Sequence, residues 1–321
     1  MASLPKVELH LHLDCSLSYN VVSHLAPHIS REHFHAEFIA PPKCSSLIDY
    51  LARTPQPLAL MQTEDALRLV TEDLFQQLAA DNVIYAEIRF APHLHLEQGL
   101  SVEKVVEVVD RATEACIAAT GIEARLILCT LRHFTAEQSL HTAKLVDQFR
   151  GTRVAAFDIA GDEAGYPVTA HIPAFHYAIE KGLHRTAHAG EACGAGSVWE
   201  TLRVFQPTRI GHGVRSIEDP ALVEHLRRER IHLEICPSSN VQTNTVHDYA
   251  SHPIDKLYRA GVSLGVNTDA RTITHITLDQ EYAKLRETFS WTDAELKHCN
   301  REALRAAFID DATRTRLLAR L

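Results

Sequence analysis

The stretch VELHLHLD, residues 7–14, decides how the chain is read. Side chains along a strand alternate between faces. An extended run therefore puts Val7, Leu9, Leu11 and Leu13 on one side and Glu8, His10, His12 and Asp14 on the other. Two imidazoles then point the same way out of an otherwise apolar run. Alone, the pair fits two hydrogen-bonded core histidines as well as half of a metal site, because ring nitrogens two residues apart on one strand face can reach a single cation. The rest of the chain has to choose between them.

Short apolar runs of the same kind recur seven times: VIYAEIRFA (83–91), ARLILCTL (124–131), RVAAFDIA (153–160), HRTAHAG (184–190), RIGHG (209–213), IHLEIC (231–236) and VSLGVNTD (262–269). Between them lie segments with helical periodicity and helix-start signals: Ser101 before VEKVVEVVDRATEACIAA, the box-like Thr135–Gln138, Asp219 followed by Pro220, and Thr292–Glu295. Strands alternating with helices imply a parallel sheet. Eight of them predict an α/β fold closed into a (β/α)₈ TIM barrel, with extra helices in the long segment between strands 1 and 2. An open doubly wound sheet is the competitor, but no G-x-G-x-x-G follows any strand. No linker rich in Gly, Pro or Ser divides the chain, so one domain over 1–321 is expected.

Composition narrows the function. The chain has 321 residues, 45% hydrophobic and 23% charged, the balance of an ordinary globular protein. With 32 basic against 41 acidic residues the formal charge is −9, and no run of Lys and Arg offers a phosphate-tracking patch, so nucleic acid is not an expected partner. The seven scattered cysteines lack C-x-x-C pairing, which predicts free thiols in a reducing, cytoplasmic setting. Neither a signal peptide nor an apolar run of membrane-spanning length is present, so no membrane association is expected.

A barrel demands that its reactive groups come from the carboxyl ends of several strands. The ends here carry His10, His12 and Asp14; Asp158 and Gly161; His188 and Glu191; His212; and Asp269. Five polar strand ends are hard to obtain as satisfied core polars, and they favour a site. The second H-x-H, His93 and His95, follows Pro92 beyond its strand and is left out. His133 is expected in a solvated or capping role.

The motifs PKVELHLHLD, AEIRFAPHL, FDIAGDE, TAHAGE, RIGHGV, EICPSSN and SLGVNTD stand in the order and spacing of the adenosine deaminase family, within the amidohydrolase superfamily, and the chain resembles that family over nearly its whole length. The resemblance implies a mononuclear zinc enzyme that hydrolyses the amino group from C6 of an adenine ring and releases ammonia. It implies His10, His12, His188 and Asp269 as zinc ligands and Glu191 as the acid that protonates ring N1. His212 would orient the nucleophile, Asp269 would also accept the water proton, Gly161 would offer its N–H to ring N3, and Asp14 would bond the ribose. The residue chemistry agrees, since three neutral imidazoles and one carboxylate suit zinc with a position left for water. No lysine stands in RVAAFDIAGDE to bridge two ions, so one zinc is expected, with Asp158 holding a ligand or the catalytic water from behind.

The departures bear on substrate. Ala270 stands where family members place an aspartate that contacts ring N7, and Arg271 is expected either to turn into the pocket as a replacement donor or to lie in a salt bridge at the barrel rim. Cys15 replaces a glycine beside the presumed ribose site, and residues 47–62 match the family's apolar lid in position but not in residues. The expected substrate is adenosine or a related 6-aminopurine nucleoside. Alternatives are another adenine-containing metabolite (a substituted adenosine, adenine or 6-aminodeoxyfutalosine), a two-metal amidohydrolase acting on a cyclic amide or ester, and a non-catalytic binding protein, the last disfavoured by the retained ligands and acid.

Overall fold

A computed structural model describes residues 4–321. Its strands are β1 (Lys6–His12), β2 (Val83–Phe90), β3 (Glu123–Leu131), β4 (Val154–Ala160), β5 (His184–Arg185), β6 (His188–Ala189), β7 (Arg209–His212), β8 (His232–Ile235) and β9 (Leu264–Val266). β1 to β5 pair in chain order as one parallel sheet and β6 to β9 as another. β5 and β6 are two halves of the fifth barrel strand, parted at Thr186 and Ala187. The ladder still crosses that gap, because Thr186 N–H donates to the Phe157 carbonyl at 3.1 Å and the Ala187 carbonyl accepts from Gly211 N–H at 2.9 Å.

The remaining seam joins the last strand to the first. His12 N–H donates to the Asp269 carbonyl at 2.8 Å, and Asp269 N–H donates to the His10 carbonyl at 3.1 Å. Below them the Asn267 side-chain oxygen accepts from Leu9 N–H at 2.7 Å and His10 N–H at 3.1 Å, so an amide stands in for strand pairing. The fold is a (β/α)₈ barrel. Every residue of β2 is buried, as expected for a parallel strand covered on both faces.

The sequence signals for helix starts hold. Ser101 caps Val102–Thr120 by accepting from Lys104 N–H, and full capping boxes open Ala136–Gln148 and Asp293–Ala306. Five helices separate β1 from β2: Tyr19–Leu25, Arg31–Glu37, Leu47–Leu51, Pro55–Leu60 and Glu64–Ala80. Among the described residues all seven cysteines are free, and no helix is long and apolar enough to cross a membrane.

Candidate active site

The strand ends bring four donors together. Among His10, His12, His188 and Asp269, one ligand atom from each lies within 4.8 Å of all the others. His12 Nε2 is 3.2 Å from His188 Nε2 and 3.3 Å from Asp269 Oδ1, and His10 Nε2 is 3.2 Å from the same oxygen. β1 presents the first two rings, and the seam bonds at His10 and His12 hold the Asp269 carboxylate over them.

Carboxylates behind the rings fix what each ring offers. His10 Nδ1 is 2.9 Å from Glu234 Oε2, and His188 Nδ1 is 3.2 Å from Asp158 Oδ2. A carboxylate only accepts, so both rings carry a proton on Nδ1. Burial lowers the His188 pKa and favours the neutral ring with a bare Nε2, whereas at His10 the same burial is outweighed by the carboxylates of Asp269 and Glu234, which raise the pKa. His10 Nε2 is fully buried yet makes no hydrogen bond, although it stands 3.2 Å from a carboxylate oxygen. A positive charge, a proton or a metal ion, has to stand between them, and the set of three imidazoles and one carboxylate fits zinc. Arg89 anchors the carboxylates from below, at 2.6 Å to Asp158 and 2.5 Å to Glu234, while Arg209 reaches Glu234 at 2.7 Å. Burial alone would raise the Asp158 pKa, but His188 and Arg89 outweigh it and hold the group ionised. Asp158 thus stands behind His188, one of the four gathered donors. Glu234 and Arg89 are additions that the motif reading left unassigned; the visible signal was a charge inside each apolar run, HLEIC and EIRF.

A second overlapping set, His10, His212, Cys236 and Asp269, also gathers at this point. Its thiol is already spent on the Glu234 carbonyl at 3.6 Å, and burial pushes the Cys236 pKa well up.

Glu191 lines the same cavity, with Oε2 3.6 Å from His212 Nε2. Burial raises its pKa well above the ordinary carboxylate value, and the charges of Asp269 and Glu163 push the same way, which favours the protonated form. Its loop is held by Glu163, which accepts from the backbone N–H groups of Gly190 (2.7 Å), Glu191 (3.0 Å) and Cys193 (2.8 Å). Ser239 Oγ donates to Asp269 Oδ2 at 2.7 Å. Both residues lie in quoted motifs, FDIAGDE and EICPSSN, without a role being legible there. His212 and Asp269 adopt φ of +60° and +65°, conformations that side chains rarely hold, as is common where a site is built under strain. Gly211 has to be glycine, because a Cβ there would stand 2.9 Å from His10 Cε1.

The cavity is about 260 Å³ and is also lined by Asp14, Cys15, Gly161, His133 and Ala270, with Leu47, Tyr50, Leu51, Leu58 and Leu94 forming an apolar wall. Gly161 sits at φ +96°, open only to glycine without strain. Burial raises the Asp14 pKa to about 6. His133 lines the cavity and is exposed there, in keeping with the solvated position expected of it. His95 is buried against the Met61 carbonyl at 2.9 Å, away from the donor cluster.

Arg271 requires a correction. Its guanidinium does not enter the cavity: Nη2 binds Glu8 Oε2 and Nη1 binds Asp81 Oδ2, each at 2.7 Å, in a buried triad. Two carboxylates taken out of water demand a fixed bidentate cation, and that requirement holds the side chain against any pull from the pocket. The salt-bridge alternative is the arrangement observed, buried rather than at the rim.

A barrel with convergent imidazoles and a carboxylate at its strand ends, beside a buried acid of raised pKa, has the build of a metal-dependent hydrolase. The family model described as adenosine deaminase matches residues 5–321, and the chain belongs to that family. It is 39% identical over 329 residues to adenosine deaminase 1 of Streptomyces coelicolor, covering 95% of this chain and 83% of that protein. Among solved structures it is similar to an adenine deaminase from Arthrobacter aurescens (TM-score 0.91, 27% identity, 99% and 98% of the two chains). It is also similar to the N6-methyl-AMP deaminase of Arabidopsis thaliana (TM-score 0.86, 26% identity, 98% and 95%).

Proposed function

We propose that the protein is a cytoplasmic, single-domain enzyme with one zinc per chain that hydrolyses adenosine, or a related 6-aminopurine nucleoside, to the 6-oxo product and ammonia. The observation that carries this reading is the four-donor cluster set directly beside a buried glutamate whose pKa is raised by its surroundings. His10, His12, His188 and Asp269 hold the zinc, which when bound supplies Lewis-acid activation of the attacking water. Glu191 gives its proton to ring N1 as the water oxygen adds to C6, which lets the ring lose aromaticity without building charge on N1. Asp269 accepts one proton of the water and returns it to the departing amino group, and the remaining hydroxyl proton passes back to Glu191 as the C6 carbonyl forms, so water and substrate balance as product and ammonia with the acid restored. Gly161 offers its N–H to ring N3, and Asp14 bonds the ribose.

No Lys or Arg lines the cavity among the described residues, so a phosphate would find no cation there. Arg215 in the adjoining groove is already paired with Glu218 at 2.7 Å. This favours nucleosides over nucleotides. One observation favours a related 6-aminopurine as a second reading: Ala270 packs with Cys15, Tyr50 and Ile273 and supplies no hydrogen bond to N7.

The test is ammonia release from a panel of adenosine, 2′-deoxyadenosine, adenine, N6-methyladenosine and AMP, with elemental analysis of the same sample. Turnover of a nucleoside with about one zinc per chain is the expected result. Two tightly held metals, or a zinc-loaded protein inert on the whole panel, would overturn it.

A further inference from the structure

The zinc-dependent reading leaves open why His212, which faces the same point, is not a ligand. His12 has Asp14 3.9 Å from its Nδ1, beyond hydrogen-bond distance, but three of the rings at this point have a close partner there. Carboxylates meet it at His10 and His188, whereas at His212 the partner is the Asn240 side-chain amide, 3.0 Å away. Which end of that amide faces His212 is decided by a main-chain group further on.

Ile254 N–H donates to His252 Nδ1 at 3.1 Å, and a backbone N–H can only donate. His252 is buried, and burial lowers its pKa to about 3, so the ring is neutral. With Nδ1 accepting, its proton sits on Nε2, which lies 3.2 Å from the Asn240 oxygen and donates to it. The Asn240 nitrogen is left to donate to His212 Nδ1. Reversing the amide would set its N–H₂ against the His252 N–H, two donors face to face. We propose that Asn240 and His252 are positioning residues that lock His212 as its Nε2–H tautomer, which makes it a hydrogen-bond donor to the attacking oxygen and bars it from the metal. A preorganised donor aimed at developing negative charge is the kind of group that speeds such additions.

The test reads the tautomer directly. In zinc-loaded protein carrying ¹⁵N in its histidine rings, long-range ¹H–¹⁵N correlations report which nitrogen bears the proton, with His212 identified by the signals lost in His212→Gln. Nε2–H with a bare Nδ1 is expected, and a proton on His212 Nδ1 overturns the proposal. Asn240→Asp keeps the shape but replaces the donor with an acceptor, drawing the proton to Nδ1. Its kcat should fall by about 10² to 10⁴-fold, the scale of a misplaced proton, with KM and zinc content close to wild type and the His212 spectrum switched. A folded variant with wild-type kcat also overturns it. Should that variant not fold, the wild-type spectrum decides alone. Failure of the zinc reading would show in elemental analysis, while the ring spectrum would still report the tautomer.

Discussion

At the scale of single residues the site rests on keeping protons where burial puts them. Glu191→Gln should keep zinc and fold but lose about 10² to 10⁴-fold in kcat, because an amide cannot supply the N1 proton; near-normal turnover would remove Glu191 from the role. In the wild type, kcat/KM should fall as pH rises through the raised Glu191 pKa. The stability sign follows. A raised carboxyl pKa contributes stability that is complete below its ordinary value and is lost as the pH climbs through the folded value. Thermal melts should therefore favour the Gln variant increasingly toward alkaline pH. Arg271→Ala should cost about 3 to 5 kcal/mol in urea unfolding, since it strands Glu8 and Asp81 as unpaired buried charges. A variant of unchanged stability and altered substrate ranking would restore the pocket-facing arrangement. That His10 and His12 face one point was legible, because alternation along VELHLHLD fixes which side chains share a face. The direction of Arg271 was not, because its partners Glu8 and Asp81 come from segments whose approach no local spacing reveals.

At the scale of elements, each strand end contributes little alone and the barrel assembles them. The pattern of apolar runs separated by capped helices was enough to number the strands. It could not show the break between β5 and β6, where Thr186 turns its hydroxyl to Glu234 at 2.9 Å. Nor could it show that β8 and β2 aim Glu234 and Arg89 beneath the ligands, because a charged residue inside an apolar strand reads the same whether it is paired across the barrel or packed at an edge. Asp158, at the end of β4, allows a check on this lower layer. Asp158→Asn keeps the volume but weakens the hold on the His188 Nδ1 proton and leaves Arg89 with one ionised partner fewer. Zinc affinity should drop by about 10- to 100-fold, the usual cost of losing a group that orients a ligand. Competition against a calibrated chelator measures it, and an unchanged dissociation constant would mean that the ring is held by the backbone of β6 alone.

At the scale of the whole molecule, charge and cavity lining both support the neutral nucleoside proposed above. The protein carries a formal −9, and its cavity presents Asp14 and Asp162 with no Lys or Arg among the lining residues. An anionic substrate would meet a repulsive approach and find no cation at its end, whereas a neutral nucleoside is indifferent to the field. Salt separates the two cases, because at physiological ionic strength screening acts over about 8 Å, so only charges farther apart than that are largely screened. For adenosine, kcat/KM should stay nearly flat as ionic strength is raised from low to physiological. For AMP it should be much lower in dilute buffer and should rise with salt as the repulsion is screened. The opposite slope for AMP, a kcat/KM that falls as salt is added, would require an attractive cationic site at the mouth, with Arg215 released from Glu218 as its nearest source, and would shift the substrate assignment from nucleosides to nucleotides.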